Sequence, residues 1–370
     1  MPRAGAQGIL SPMSTPLDFF WLGFEGNQPC GELERWISKR LPSGIVLFGR
    51  NIPERAAELR SFLGWFHELY AKRNEPPPFI AIDHEGGKVH RLGGLATRFP
   101  PWGRIAPLGE AMVAKVARVQ CAELRGLGFN TLFGPVLDVA DPRAFRKNAL
   151  ENRTFSGDTN TVALLGTAFL RASAETGILA CPKHFPGYGS VTVDPHLDLP
   201  HASVSREEWE RVHAAPFRDL HDDVAPFMML AHLRHSVFAA GEGPTSLDPE
   251  VVAWLRDEAG YRGLVIPDDL CMAAVTSSTG WPEVGPAGLE AGLDLLLLCH
   301  ADQPHAGAVD QVIEAVRRWK PSAAVQGRLD LASGRIRQLR EQLPKPPARC
   351  RPAKPGSTLL REIEARLGDQ

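Results

Sequence analysis

The chain has 370 residues, 44% of them apolar and 23% charged, the make-up of an ordinary globular protein large enough to bury a substantial core. A formal net charge of −2 supplies no broad basic field, so neither nucleic acid nor an anionic membrane is expected as a partner. The six cysteines (Cys30, Cys121, Cys181, Cys271, Cys299 and Cys350) form no CxxC pair, which leaves out the common zinc and redox motifs and suits free thiols in a reducing compartment.

Residues 1–14 have neither a continuous apolar signal region nor any helical pattern and are expected to be disordered. No run reaches the roughly 18 apolar residues of a membrane span, and a cytoplasmic protein is expected. Short, nearly continuous apolar runs then recur at 18–23, 44–48, 79–82, 131–137, 179–182, 227–231, 263–267 and 293–298. Parallel strands buried on both faces read this way. Cys181, Cys271 and Cys299 lie in or beside these runs and are expected to be buried.

Helical patterns fall between the runs, at 54–71, 110–127, 160–176, 205–221, 248–259 and 305–319. Asp158 or Thr159 is placed to cap the third, and Ser205 the fourth, with Glu208 at capping-box spacing. Eight strands alternating with helices predict an α/β fold, a (β/α)8 TIM-type barrel forming one catalytic domain over 15–342. A doubly wound sheet would carry a Gly-rich phosphate turn after its first strand, and WLGFEGNQ is a poor match. One more helix is predicted over 323–342. A Pro-rich basic linker (343–357) and a short helix (358–367) make up a C-terminal tail, 343–370.

In such barrels chemistry gathers where strands end. Just past the apolar runs stand Arg50 and Asn51, then Asp83, His84 and Glu85, then Asp138, Lys183 and His184, His232 and His235, and Asp268 and Asp269. Burying so many polar groups at one rim without use would cost several kcal/mol of solvation. Asp269 is nearer the following helical start and fits an N-cap, leaving Asp268 for the site. The segment KHFPGYGSVTVDPHLDLP (183–200) is broken by glycine and proline into a long loop. It carries Asp194 and His196, which point the same way if extended, so the carboxylate could set the tautomer of the imidazole. Pattern alone does not separate that pair from a solvated loop Asp and His.

The motifs GIVLFGRNI (44–52), DHEGGKVHRL (83–92), GFNTLFGPVLDV (128–139), NRTFSGD (152–158), KHFPGYG (183–189) with DPH (194–196), DDLCMAA (268–274) and GLEAGLDLLLLC (288–299) occur in one order along the chain. In this the chain resembles glycoside hydrolase family 3, within it the single-domain β-N-acetylglucosaminidases of bacterial cell-wall recycling. The resemblance spans roughly residues 15 to 320. It implies Asp268 as nucleophile, His196 as acid/base with Asp194 as its dyad partner, and Asp83, Arg91, Arg153, Lys183 and His184 as ligands of a terminal N-acetylglucosamine. Retention needs a nucleophile on one face of the sugar and an acid/base near the leaving oxygen. Neither metal nor cofactor is implied. Departures from the family pattern are His84 for the glutamine of DQEGG, Tyr188 for the second histidine of KHFPGHG, Pro195 for the serine of DSH, and Pro267 for the serine of SDD.

The reading that follows is a retaining exo-β-N-acetylglucosaminidase, a monomer acting on a muropeptide or oligosaccharide that contains N-acetylglucosamine. The preferred substrate is N-acetylglucosaminyl-1,6-anhydro-N-acetylmuramic acid and its peptides. Too few residues follow position 320 for the second domain that supplies the acid/base in the family's two-domain β-glucosidases. The alternatives are a family 3 glycosidase for another sugar, a metal-dependent amidohydrolase using the histidines of AHLRH and KHF, a Schiff-base aldolase using Lys183, and a non-catalytic carbohydrate-binding barrel.

Overall fold

A computed structural model describes residues 16–29, 31–39, 41–140, 150–191, 199–238, 243–277, 279–299, 307–344 and 356–368. The expected disorder of 1–14, most of the Pro-rich linker, and Asp194, Pro195 and His196 lie outside the described residues.

All eight apolar runs form strands: β1 (Phe20–Gly23), β2 (Gly44–Leu47), β3 (Phe79–Ile82), β4 (Thr131–Val136), β5 (Leu179–Lys183), β7 (Phe227–Leu230), β9 (Leu264–Pro267) and β10 (Leu296–Leu298). Two-residue strands β6 (His201–Ala202) and β8 (Arg234–His235) pair with each other. Nearly every residue of the eight is buried, which is why they read as unbroken apolar runs.

The expected closed eight-stranded barrel is corrected by the strand pairing. Six strands form one parallel sheet in the order β10-β1-β2-β3-β4-β5, and β7 and β9 form a separate parallel pair. Two seams stop the ladder from closing. At the first, a single bridge joins Phe185 to Leu230, and the chain then meets Pro186, which has no N–H to continue it. At the second, the Val265 N–H goes to the Asp294 carboxylate at 2.8 Å rather than to a backbone carbonyl of β10. The six-stranded sheet is therefore an open half-barrel, with the β7–β9 pair set against its edge.

Aromatic rings from four strands fill the space inside. Trp21 lies 5.1 Å from Phe79, 5.8 Å from Phe133 and 5.0 Å from Phe227, centroid to centroid. These buried rings make a floor beneath the strand ends, and such pairs add about 0.5–1.5 kcal/mol each beyond area burial.

The helices Ala56–Lys72, Glu110–Leu127, Thr159–Thr176, Pro249–Asp257, Ala308–Arg318 and Ala323–Glu341 match the sequence patterns closely. Asp158 is the cap of the third, accepting from Thr161 N at 2.8 Å. Ser205 caps as expected, accepting from Glu208 N at 3.1 Å. The helix expected over 205–221 is broken, however. A wide turn over Trp209–His213 is closed by Ala214 N to Trp209 O, and Pro216 permits only a short restart, Ala215–Arg218. The C-terminal helix Gly356–Gly368 buries Leu359 and Ile363, and Lys115 of the helix Glu110–Leu127 reaches its Glu362 at 2.6 Å. Among the described residues no helix is long and apolar enough to cross a membrane. Cys181, Cys271 and Cys299 are buried free thiols, as is Cys121.

Candidate active site

The polar rim is built at the ends of β3, β4, β5, β7 and β9. Adjacent strands are in parallel register, Val136 beside Lys183 and Leu230 beside Pro267, so Asp138 and His184 follow one pair of strands, and Ala231 and Asp268 the other, all at the C-terminal ends.

After β3 the chain turns within DHEGG. Glu85 N bonds Val89 O at 2.9 Å and Val89 N bonds Gly86 O at 3.0 Å. Gly86 and Gly87 sit at φ +87° and +55°, and a Cβ on Gly87 would lie 2.8 Å from Pro101 Cβ, so this turn needs glycine. It delivers Asp83 and Glu85 to a buried charge network. Lys183 Nζ lies 2.5 Å from Asp83 Oδ1 and 2.8 Å from Glu85 Oε1. Arg153, on the turn Glu151–Arg153, holds Glu85 with two parallel bonds, 2.7 and 2.8 Å. Burial would push the Glu85 carboxyl up, but Arg153 and Lys183 together outweigh it and hold it well below the usual range. Burial would lower Lys183, yet Asp83 and Glu85 keep it firmly protonated. A Schiff-base lysine needs the opposite shift, which counts against the aldolase alternative.

After β4, Asp138 is fully buried and serves two partners. His184 Nδ1 lies 2.7 Å from one oxygen, and Tyr188 N donates to the other at 2.6 Å. The Tyr188 ring packs edge-on against His184, 5.1 Å between centroids. The loop root fits tightly: a Cβ on Gly189 would lie 1.8 Å from Val139 O.

After β9, Asp268 is half-buried. It receives Asp269 N on its own Oδ1 at 2.8 Å, and its N–H bonds Leu230 O at 2.8 Å. Burial would raise its carboxyl, but His184, the Asp269 N–H and Lys183 hold it below the ordinary value, so it stands ionised. Asp269 does not cap the following helix, Ala273–Thr276, whose N-cap position is Met272; its carboxylate instead braces the turn after β9, accepting from Cys271 N and Cys299 N.

Asp83, Arg153, Lys183, His184 and Asp268 are thus assembled in one region. Arg91 stands exposed beside His84 and is not part of the Glu85 network among the described residues. Arg50 and Asn51 are structural, Arg50 donating to Cys299 O and Asn51 to Phe24 O. His232 spends both ring nitrogens inside the protein, on Ser246 and Asp269 O, which leaves none for a metal of the amidohydrolase kind. Sequence reasoning put Glu85 and Asp138 on the rim without a role. Structure makes Glu85 the hub of the network and Asp138 the partner of His184.

Several buried groups make stability depend on pH. Burial, His90 and Arg91 press His84 down to about 3. Burial, then His213, His201 and Arg206, press His235 down to about 4. Folded values below the unfolded one mean that the stability is present above about pH 6.5 and is lost as pH falls toward the folded values. Burial pushes Asp269 up to about 6, which works the other way and offsets one of the two protons. Among these three groups the two imidazoles outweigh the one carboxyl between pH 6 and 5, so together they lower stability on acidification. Urea unfolding at a series of pH values is expected to show this fall, and a midpoint that rises on acidification would contradict it.

Comparison with known proteins places this arrangement. The family described as "Glycosyl hydrolase family 3 N terminal domain" matches residues 17–336. A beta-hexosaminidase of Thiobacillus denitrificans is 32% identical over 300 residues, 79% of this chain and 80% of that one. Among solved structures, a glycoside hydrolase family 3 beta-N-acetylglucosaminidase from Paenibacillus superposes with a TM-score of 0.84 at 26% identity, covering 94% of this chain and 67% of that one. NagZ from Neisseria gonorrhoeae, in complex with N-trifluoroacetyl-D-glucosamine, gives 0.74 at 25% identity over 96% of this chain and 99% of that one.

Proposed function

The chain belongs to glycosyl hydrolase family 3, and from that premise we propose that it is a retaining exo-β-N-acetylglucosaminidase that removes terminal β-linked N-acetylglucosamine through a covalent intermediate on Asp268. The observation that carries the reading is an ionised, half-buried Asp268 at a rim that also holds the buried Lys183, Asp83, Glu85 and Arg153 network. An ionised carboxylate attacks the anomeric carbon, while directed cationic and carboxylate groups grip sugar hydroxyls. In this reading Asp83, Arg91, Arg153, Lys183 and His184 bind the sugar. His196, paired with Asp194, protonates the leaving oxygen and then activates water. A neutral imidazole in that role adds no negative charge beside the nucleophile and the acetamido carbonyl.

The sugar assignment is supported by the motif set and by the names of the matched relatives. The preferred natural substrate is N-acetylglucosaminyl-1,6-anhydro-N-acetylmuramic acid and its peptides, met in the cytoplasm. A panel of nitrophenyl glycosides tests the reading. Release from the β-N-acetylglucosaminide is expected to exceed release from the β-glucoside by at least roughly a hundredfold in kcat/KM, because a site that hydrogen-bonds an acetamido group leaves its own polar groups unpaired with a substrate lacking it. The reverse preference sinks the specificity.

A further inference from the structure

His232, from the AHLRH segment, is fully buried and has no part in the reaction described above. Its Nε2 lies 3.0 Å from Asp269 O and its Nδ1 2.7 Å from Ser246 Oγ. A carbonyl oxygen only accepts, so Nε2 carries the hydrogen. Nδ1 then offers a lone pair, and the Ser246 hydroxyl donates to it. The backbone of His232 is gripped as well, its N–H donating to the Tyr188 hydroxyl at 2.9 Å.

That relay ends on Asp269, whose other groups are also engaged. Its carboxylate accepts Cys271 N at 3.0 Å and Cys299 N at 2.9 Å. With carbonyl and carboxylate both held, its remaining group, the N–H, is directed at Asp268 Oδ1 at 2.8 Å.

We propose that His232 is a positioning residue for the nucleophile: through the Asp269 carbonyl it fixes the N–H that supports the Asp268 carboxylate, and Ser246 sets the tautomer that lets it do so. This rests on the preceding reading for the role of Asp268 alone. Burial keeps His232 neutral, as a donor to a carbonyl and acceptor from a hydroxyl must be. The other groups that act on the Asp268 charge are His184 and Lys183, and neither contacts Asp269 among the described hydrogen bonds. A packing residue would need the ring's volume but no particular tautomer. A positioning residue needs the N–H.

In the full-length enzyme, His232→Leu is expected to lower kcat on nitrophenyl β-N-acetylglucosaminide by about a hundredfold with KM within about threefold, and to move the acid limb of the kcat/KM profile up by about one pH unit. His232→Gln supplies an amide N–H in place of Nε2–H and is expected to bring the limb most of the way back. An acid limb that stays in place in the leucine variant, or a glutamine variant no better than leucine, overturns the proposal. Should the leucine variant fail to fold, Ser246→Ala removes one oxygen and is expected to cost about fivefold in kcat at unchanged KM; unchanged kcat overturns the proposal equally. Nitrogen NMR of the histidine-labelled wild type, with His232→Gln to assign the signal, is expected to find Nε2 protonated and Nδ1 bare. A hydrogen on Nδ1 overturns the proposal without any turnover being measured. A wild type inactive on every glycoside would instead sink the assigned reaction, leaving the tautomer to decide this inference.

Discussion

Replacing Asp268 with alanine is expected to lower kcat by on the order of ten-thousandfold, because no covalent intermediate forms without the carboxylate. The case rests on charge state as much as on place. Burial opposes ionisation here, and His184, the Asp269 N–H and Lys183 overcome it. A carboxylate kept ionised by donors, at a strand end and still half-open, is arranged as a nucleophile rather than as a proton donor. The alanine variant also leaves a gap where the carboxylate stood. Azide added with an activated aryl glycoside should enter it, attack the anomeric carbon from the same face as Asp268 and give the α-glycosyl azide. Recovery of that product identifies the missing group as the nucleophile. Substantial residual hydrolysis without azide, or a β-azide product, would overturn the assignment.

Much of this site was legible because strands buried on both faces announce themselves as apolar runs, and the residue after each run is then a rim residue. That logic located Asp83, Asp138, Lys183, His184 and Asp268 correctly at strand ends. It failed at the seams. Whether eight strands close one ring depends on where each N–H finds its acceptor, and neither the capture of Val265 N by Asp294 nor the single bridge at Phe185 leaves a mark in hydrophobic pattern. The helix expected over 205–221 failed for a related reason, since its apolar spacing continues through a turn that its backbone widens. Ser246 and Tyr188 were invisible as partners of His232 because they come from 14 and 44 residues away. Glu85 was within reach. It stands two residues after Asp83, and in extended chain such residues point to one side; here both carboxylates meet Lys183.

Glu85→Gln is expected to damage binding and stability together, and the two losses have one origin. The carboxylate, 4% exposed, lies between Arg153 and Lys183 and offsets the charge of both. Lys183 would retain Asp83, at 2.5 Å, but Arg153 would lose the negative charge and one of the two acceptor oxygens of its paired contact. Removing one member of a buried ion pair costs about 3–5 kcal/mol. For a chain of this size that corresponds to a fall in Tm of roughly 4–6 °C. With the Glu85 charge gone, Arg153 loses one of its anchors, so KM on the nitrophenyl β-N-acetylglucosaminide should rise about tenfold, with kcat less affected. Asp83→Asn provides the contrast. Asp83 is more exposed, 22% against 4%, and solvent screens its loss, so KM should rise with a smaller change in Tm. The pH dependence separates charge from packing. The folded Glu85 carboxyl is held below its ordinary value of 4.5, so its stabilisation is present above that value and is lost as pH falls beneath it. Urea midpoints of the wild type and Glu85→Gln should therefore be far apart at pH 7 and draw together below about pH 4.5. A gap that persists undiminished in acid would mean that Glu85 serves by shape, and that the cations at this rim are held by something other than its charge.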